Sequence, residues 1–327
     1  MSIKIIKPGL QATLQDGGRN QYRNIGVGAG GAMDNFAFAA ANFLTGNEEA
    51  FPVLEINFPA PEILFEADAL ISITGADFSP FAGDMQIPLW KPVLITENTI
   101  LRFTKPLTGS RAYIAVHKGW QADQWLNSYS THLKLQAGGF RGRALQKDDA
   151  IVFEKLPFTV EKTQVLPWQA NLAAVEKIYS AEKIISCIQS AEWNWLDENS
   201  QTIFAQQQFT VTSQSDRMGY RFTGTPLRQT NTKELISSAT DAGTVQLLPG
   251  GNIIVLMADC QTTGGYPRIA SVIKADLPKL AQIKPGEKIN FRMITLQEAE
   301  QEWLQYLKMK QKIKTASHEK IKKYFRQ

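Results

Sequence analysis

The sequence predicts a mainly β protein with few short helices and a helix near its C-terminus. Short apolar runs rich in Ile, Val, Phe and Tyr recur between turn residues, a pattern typical of strands. The clearest runs are 69–74, 92–96, 99–103 and 111–116. Such runs follow one another too closely to leave room for helices between them. We therefore expect a barrel or sandwich and not a βαβ sheet.

Two β domains and a tail are expected along the 327 residues, a length sufficient for two separate cores. Residues 1–165 are predicted to form an N-terminal β-barrel-type domain, 166–295 a C-terminal β-barrel domain, and 296–327 a helical basic tail. An internal echo favours related domains, since the pattern R-x-x-Y-R-x-x-G begins at Arg19 and again at Arg217. One short match also arises by chance, so the echo is weak support.

Two helices have recognisable boundaries. The segment Ala32–Leu44 is rich in Ala and Phe, Asp34 is a candidate N-cap, and Gly46 follows the expected end. Near the C-terminus, Thr295–Glu298 has the capping-box pattern, and the helix is expected to continue to Met309.

The tail is more basic than the rest of the chain. Residues 308–327 hold eight Lys or Arg and one Glu, a net charge of +7, whereas the whole chain carries +4, so the remainder carries −3. A mildly acidic body does not indicate binding to nucleic acid. We interpret 308–327 as a solvated lysine-rich run and expect its deletion to leave the fold largely intact.

The sequence indicates neither secretion nor a membrane span. The segment Met1–Lys7 is too short and too quickly interrupted for the apolar part of a signal peptide, and no run of about 18 apolar residues occurs. The two cysteines, Cys187 and Cys260, form no disulfide framework, which fits a reducing compartment. We therefore expect a cytoplasmic protein without membrane contact.

Two familiar nucleotide motifs are disfavoured or absent. Residues 26–31 satisfy G-x-G-x-x-G, and Glu55 lies at roughly the offset of a ribose-binding acid, but no buried strand precedes the glycines and no second βαβ unit follows. Glycines before a helix can still offer backbone N–H groups to an anion. No P-loop is present, and His117, His132 and His318 have no metal-ligand spacing with the cysteines.

Two polar loops are candidates for ligand binding. The loop Asp259–Pro267 follows an apolar strand and concentrates hydroxyl, amide and backbone donors beside two glycines, which suits either a small polar ligand or a plain hairpin. In Ser213–Tyr220, Asp216 and Arg217 either bind substrate or form a structural ion pair, and the structural alternative is slightly favoured. Further acids lie in the turns 15–19 and 74–77, where solvated turns are the commoner explanation.

Taken together and in order, these segments resemble the allophanate hydrolase subunit 2 family. It is also called the biotin-dependent carboxyltransferase family, and it includes KipA-like proteins and the C component of 5-oxoprolinase. The resemblance runs from Pro8 to about Phe291. The matching segments are 8–10, 13–19, 30–34, 41–47, 54–55, 74–77, 130–132, 138–145, 215–220 and 261–267.

The resemblance implies cyclophilin-like β-barrel domains and a place in a multi-subunit hydrolase. The implied reaction is the ATP-dependent opening of 5-oxo-L-proline to L-glutamate, with a chain that is inactive alone. The implied partners are a KipI-like subunit 1 protein, with the active site at the interface, and a lactam-cleaving third subunit. The sequence does not locate the ATP site, for which the partner subunit is one candidate.

Two alternatives to the 5-oxoprolinase interpretation remain open. One is the carboxyltransferase component of a biotin-dependent urea carboxylase-like system, the only interpretation that requires biotin. The other is a KipA-like regulatory protein that antagonises a KipI-like kinase inhibitor.

Site residues are assigned within the matching segments. Catalytic roles are expected for the acids and arginines Asp16, Arg19, Asp34, Asp77, Asp216 and Arg217. Substrate binding is expected for Gly30, Gly31, Gln261, Thr262, Thr263, Gly264, Gly265 and Tyr266. The expected roles are hydrogen bonding to the substrate and electrostatic stabilisation of the activated amide, with no metal.

Two positions depart from the family pattern. Residues 127–131 read Asn-Ser-Tyr-Ser-Thr where relatives usually read Gly-Ser-Arg-Ser-Thr, and Asp259-Cys260 stands where they usually read Asp-Arg. Tyr129 and Cys260 therefore replace two expected arginines, and neither supplies a bidentate guanidinium. If the arginines of relatives bind a carboxylate or phosphate, a different substrate or activity is expected for this chain.

Overall fold

The computed structural model describes residues 1–231 and 233–325, and within them the chain is mainly β, as the sequence predicts. The chain divides into two compact units. The first comprises Met1–Arg19, Asp34–Glu176 and the residues from Lys308 onward, and the second comprises Asn20–Met33 and Lys177–Leu307. The predicted division is linear, whereas each observed unit combines segments that are distant in sequence.

The first unit contains two antiparallel six-stranded sheets. Its strands are β1 (Ser2–Lys7), β2 (Ala12–Gln15), β3 (Val53–Ile56), β4 (Glu62–Phe65), β5 (Ala69–Asp77), β6 (Pro80–Ala82), β7 (Met85–Gln86), β8 (Pro92–Ile95), β9 (Thr99–Phe103), β10 (Thr108–Val116), β11 (Ala150–Val152) and β12 (Gln164–Val165). The strand orders are β11-β1-β4-β9-β6-β7 and β12-β8-β5-β10-β3-β2. The predicted strands at 69–74, 92–96, 99–103 and 111–116 are therefore confirmed.

Helix α1 (Asn35–Leu44) packs on the second sheet of this unit. Side chains alternate along β5, so that Ile71 and Ile73 enter the core while Ser72 Oγ and Thr74 Oγ1 donate to carbonyl oxygens of α1 at 2.6 and 2.7 Å. The predicted cap is confirmed, because the Asp34 carboxylate accepts hydrogen bonds from the first turn of α1. The helix starts three residues later than the sequence predicts, since Asp34 itself has extended backbone.

The second unit is built around a closed seven-stranded barrel, which confirms a barrel as part of the fold. Its strands are β13 (Ile184–Gln189), β14 (Gln208–Val211), β15 (Gly219–Thr223), β16 (Ser238–Ala239), β17 (Thr244–Leu247), β18 (Ile253–Leu256), β19 (Thr263–Gly264), β20 (Arg268–Val272) and β21 (Lys288–Met293). The barrel order is β13-β20-β17-β18-β15-β14-β21, and the parallel pair β13–β21 closes it. Strands β16 and β19 form a separate two-stranded ribbon.

The remaining helices are short except the last. They are α2 (Leu172–Ile178), α3 (Glu198–Gln206), α4 (Leu277–Ala281) and α5 (Leu296–Tyr324), with 3₁₀ turns at Asn20–Ile25 and Trp193–Trp195. The barrel core is rich in aromatic rings, and Phe204 of α3 stacks on Phe291 at 4.8 Å between ring centroids. No helix in the described ranges is both long and apolar enough to span a bilayer.

The prediction of a solvated tail is wrong. Helix α5 runs to Tyr324, well beyond Met309, and its residues from Lys308 pack within the first unit. Buried Ile313, Ser317 and Ile321 recur every four residues, which places them on one helix face. The stripe is hard to see in the sequence because lysines occupy most of the positions around it.

Ion pairs and aromatic contacts complete the docking of this helix within the first unit. Lys314 pairs with Glu48 and Lys310 pairs with Glu49, each at 2.6 Å. The Phe325 ring stacks on His117 at 4.9 Å between centroids. Tail lysines that the composition marks as solvated are therefore partly structural.

Predicted capping at the start of α5 is confirmed, since Thr295 and Glu298 exchange side-chain-to-backbone hydrogen bonds.

Candidate functional site

The polar loop after β18 lies in the second unit, where two other segments hold its backbone. On one side, Thr240 N–H donates to the Thr262 carbonyl at 3.0 Å, and Thr240 Oγ1 donates to the Gln261 carbonyl at 2.9 Å. The β16–β19 ribbon continues this pairing, with Ser238 opposite Gly264. Because these bonds use backbone groups of the loop, they do not engage its side chains.

The glycine-rich segment 26–31 holds the other side of the loop. Gly30 N–H donates to the Ala258 carbonyl at 3.0 Å. A Cβ atom on Gly28 would lie only 2.8 Å from the Cys260 carbonyl oxygen, so a larger residue there would collide with the loop. Gly30 and Gly31 both have positive φ, at 64° and 94°, which favours glycine. The Gly30 N–H, one of the backbone donors that such glycines can offer to an anion, is thus used to hold the loop.

Arg217 connects the loop to the glycine-rich segment. Its Nε and Nη2 donate to the two carboxylate oxygens of Asp259 at 2.8 and 3.0 Å, and Nη2 also donates to the Gly31 carbonyl at 2.6 Å. Arg217 therefore forms a structural ion pair, which is the alternative that the sequence slightly favours. Its partner is Asp259, however, and not the adjacent Asp216. Asp216 is exposed and accepts from Met218 N–H and Gly219 N–H within its own turn.

Exposed side chains of the loop are suited to contact a ligand. Gln261, Thr263 and Tyr266 are exposed, the last with 46% of its surface accessible. Thr262 and Gly264 are half-buried. In the second unit the structure therefore brings together all of the predicted binding residues, Gly30, Gly31 and 261–266, with Arg217, one of the predicted catalytic residues.

Cys260, one of the two departures from the family pattern, is buried beside an arginine from another segment. Only 2% of its surface is accessible, and this burial raises the pKa of the thiol to about 11 against the opposing charge of Arg23. Arg23 donates to the Thr240 carbonyl and pairs with Asp241 at 3.2 Å. Arg23 is not among the predicted site residues, although it is the second arginine of the repeated R-x-x-Y-R pattern.

Asp16 organises a loop within the first unit. Its carboxylate accepts from Ser128 Oγ at 2.6 Å, Ser130 Oγ at 2.5 Å, Tyr129 N–H at 2.6 Å and Gly18 N–H at 2.8 Å. Only 5% of the surface of Asp16 is accessible. The carboxylate therefore fixes residues 128–130, including the backbone of Tyr129, the second departure from the family pattern.

Arg19 lies close to the same loop. It is buried, it donates to the Ser130 carbonyl, and its guanidinium lies over the Trp125 ring at 4.8 Å from the centroid. Asp16 and Arg19, two predicted catalytic residues, are thus brought to one loop of the first unit.

The other two predicted catalytic acids have structural contacts elsewhere in this unit. Asp34 caps α1, and its N–H donates to Tyr113 Oη, which donates to Glu55 at 2.8 Å. Burial raises the pKa of Tyr113, so its phenol stays protonated and keeps that bond. Asp77 accepts from Ser79 N–H at 2.7 Å.

The strand register separates Asp77 from Asp16. Asp77 pairs with Thr108 at the start of β10, whereas Gln15, which precedes Asp16, pairs with Val53 of β3 toward the end of β10. Asp77 and Asp16 therefore lie at opposite ends of the six-stranded sheet, and the structure does not bring Asp77 to the Asp16 loop.

Comparisons with known proteins agree with this architecture. The family described as Carboxyltransferase domain, subdomain A and B, matches residues 25–293. The chain is 36% identical over 297 residues to the C component of 5-oxoprolinase from Haemophilus influenzae, covering 91% of this chain and 93% of that protein. Identity and coverage are the same for the C component of 5-oxoprolinase from Escherichia coli.

A solved structure shows the same fold. The crystal structure of Kluyveromyces lactis urea carboxylase matches with a TM-score of 0.87 at 25% identity, covering 97% of this chain and 29% of that one. The family resemblance seen in the sequence is therefore confirmed. The chain belongs to the family of the carboxyltransferase domain, subdomain A and B.

Proposed function

We propose that this chain is a subunit of an ATP-dependent 5-oxoprolinase complex that converts 5-oxo-L-proline to L-glutamate. The observation that carries this proposal is the loop 261–266, whose backbone is held on both sides while Gln261, Thr263 and Tyr266 stay exposed. The choice of substrate is supported by 36% identity, over nearly the full length of each, to two proteins named as the C component of 5-oxoprolinase.

The exposed groups of this loop match the chemistry of a small cyclic amide. The lactam carbonyl and carboxylate of 5-oxoproline accept hydrogen bonds, and its ring N–H donates one. The Gln261 amide and the Thr263 and Tyr266 hydroxyls can each donate and accept. Opening the lactam breaks a resonance-stabilised amide, so phosphorylation of its oxygen by ATP is a suitable activation. Donors aimed at that oxygen would stabilise the charge that develops on it.

The other predicted residues are proposed to act by positioning. Arg217 holds Asp259 and Gly31 in the second unit, and Asp16 holds residues 128–130 in the first. Arg19 places a cation beside the Asp16 loop, where it is the proposed contact for an anionic group.

The proposed complex includes two further proteins. A KipI-like subunit 1 protein and a lactam-cleaving third subunit are the proposed partners, and ATP is proposed to bind outside this chain, whose sequence has no P-loop. The proposed setting is the cytoplasm.

Reconstitution tests this function directly. The complex is copurified, and glutamate and ADP formation are measured with 5-oxo-L-proline and ATP. We expect turnover by the complex and none by this chain alone. Robust ATP-dependent glutamate formation by the isolated chain would contradict the proposed division of labour, and a complex inactive on 5-oxoproline would contradict the substrate.

A second candidate function is biotin-dependent carboxyl transfer to urea or a relative. The matched family is described as a carboxyltransferase domain, and one solved relative is a urea carboxylase. A copurifying biotinylated carrier, together with loss of turnover when avidin is added, would favour this candidate. Avidin-insensitive turnover of 5-oxoproline would exclude it as the main activity.

A further inference from the structure

Gln246 is a buried amide in the middle of barrel strand β17. Its neighbours Val245 and Leu247 point into the barrel core, so alternation places the Gln246 side chain on the outer face of the barrel. Even so, only 1% of its surface is accessible. Within residues 1–231 and 233–325, its Nε2 has no hydrogen-bond acceptor. A buried donor without a partner is unfavourable, and it calls for an explanation.

The unpaired Nε2 lies directly beneath the ligand loop. A Cβ atom added to Gly264 would be 2.6 Å from Nε2 and 3.2 Å from Thr240 Cγ2. Gly264 therefore permits the amide to approach the loop backbone, which any larger residue would prevent. Thr240 is the residue that holds Gln261 and Thr262, so the amide, the ribbon and the proposed binding loop meet at one place in the second unit.

The cover over Nε2 is small. The β16–β19 ribbon pairs only Ser238 with Gly264 and Ala239 with Thr263. The segment that enters the ribbon exposes Ile236 with 91% of its surface accessible, so little apolar burial holds it down. Short elements with little buried surface open locally at low cost.

We infer that Gln246 Nε2 donates a hydrogen bond to a carbonyl or carboxylate oxygen of the small amide substrate when β16 moves away from β19 and the loop 261–266 stays in place. This inference rests on the proposed function for the identity of the substrate, but not for the existence of the donor. The substrate oxygen then provides the hydrogen-bond acceptor that Nε2 lacks within the described part of the chain. Gly264 serves the same purpose, because it lets the amide reach the loop that carries Gln261 and Thr263.

The variant Gln246→Leu tests this inference, since leucine has a similar size and lacks the amide. We expect kcat/KM of the assembled complex to fall at least ~tenfold, the size of one lost hydrogen bond to substrate, while Tm of the chain stays equal or rises. An unchanged kcat/KM per folded molecule, whichever way Tm moves, overturns the inference.

A matched control is Gln207→Leu in the same unit. The Gln207 amide bonds to both the N–H and the carbonyl of Thr225, so its role is structural. We expect Gln207→Leu to lower Tm and leave kcat/KM per folded molecule unchanged. A similar loss of kcat/KM in both variants would show that loss of any structural glutamine amide in this unit impairs turnover, and would overturn the specific role of Gln246.

A double-mutant cycle tests the contact between Gly264 and Nε2. Gly264→Ala should lower kcat/KM in the native background, because the new methyl displaces the amide. In a Gln246→Ala background, which makes room for that methyl, Gly264→Ala should lower kcat/KM by a clearly smaller factor than in the native background. Equal effects in both backgrounds would overturn the proposed coupling.

Direct binding separates a failure of this inference from a failure of the proposed function. Isothermal titration calorimetry of 5-oxo-L-proline and of urea is run on the wild-type and Gln246→Leu complexes, without ATP. Binding that weakens at least ~tenfold in the variant supports the inference, even where 5-oxoproline is not turned over. Equal binding in both complexes, or no binding of either probe to the wild type, overturns it.

Discussion

Asp16 in the first unit and Gln246 in the second are both buried polar residues beside a predicted site, but their surroundings are opposite. The Asp16 carboxylate accepts from two serine hydroxyls and two backbone N–H groups. The Gln246 Nε2 has no acceptor in the described part of the chain. The difference teaches that a conspicuous charge can be wholly engaged in holding a loop, whereas an inconspicuous amide can retain its capacity to bind.

If the first unit is stabilised by groups that are fully packed or hydrogen-bonded, removing such groups should lower its stability. The largest effect is expected for deletion of residues 308–327. The deletion removes buried Ile313 and Ile321 and the rings of Tyr324 and Phe325. At roughly 1.5–3 kcal/mol per buried apolar side chain, we expect a loss of several kcal/mol. Urea denaturation followed by circular dichroism measures it. A deletion variant with wild-type stability would show that the part of α5 beyond Met309 does not stabilise the fold.

Asp16→Ala is expected to have the next largest effect on stability. It leaves the hydroxyls of Ser128 and Ser130 and the Tyr129 N–H buried without their acceptor, at a cost of about 3 kcal/mol. The measurement is the free energy of unfolding, with exposed Asp84→Ala as the control. If Asp16→Ala abolished turnover while the unfolding free energy stayed the same, Asp16 would be catalytic and the contrast with Gln246 would disappear.

Thr263→Val sharpens the other side of the comparison. Thr263 is exposed in the ribbon, and valine keeps its β-branched shape, so little packing is lost. A lost hydrogen bond to the substrate costs ~1–3 kcal/mol, or about tenfold or more in kcat/KM of the complex. The control is Thr223→Val, another exposed strand threonine of the same unit. A lowered Tm with normal kcat/KM would show that the Thr263 hydroxyl stabilises the fold and does not bind the substrate.

The smallest expected effect concerns a charge pair in the second unit. Hydrogen bonds from Arg268 hold the pKa of Glu192 below its usual value. The pair therefore stabilises the fold fully at pH values above the pKa of Glu192 in the unfolded state. This stabilisation is lost as the pH falls through the lower pKa of the folded state. Glu192→Gln should therefore lower stability at pH 7 by about 1 kcal/mol, the net contribution of a typical hydrogen bond, and flatten the acid side of the stability curve. An unaltered acid transition would contradict this.

Much of the fold follows from local sequence signals. Apolar runs with turn residues predict β5, β8, β9 and β10, and Asp34 and Thr295 carry cap signals that depend only on neighbours in the chain. Such patterns are readable because strand alternation and capping are short-range.

The parts that could not be predicted depend on contacts between distant residues. The sequence suggests Asp216 as the neighbour of Arg217, but the partner is Asp259, 42 positions away. Arg23 reaches Thr240 across 217 positions. Gln246 has no local motif, because what distinguishes it is the lack of an acceptor once the chain is folded. The sequence therefore points to the proposed binding loop and to Gly30, Gly31 and Arg217 beside it, but not to Arg23, Thr240 or Gln246.

The division of the chain into interleaved segments also bears on its synthesis. The first unit needs residues 1–19 together with those from Lys308 onward, so its earliest and latest translated parts must meet. At roughly 5–20 residues per second, the N-terminal strands wait on the order of tens of seconds on the ribosome before their last packing helix emerges. The barrel of the second unit, all of whose strands precede Leu296, can close first. A released chain truncated near residue 300 is therefore expected to protect the barrel from protease better than the N-terminal sheets, which lack their last packing helix.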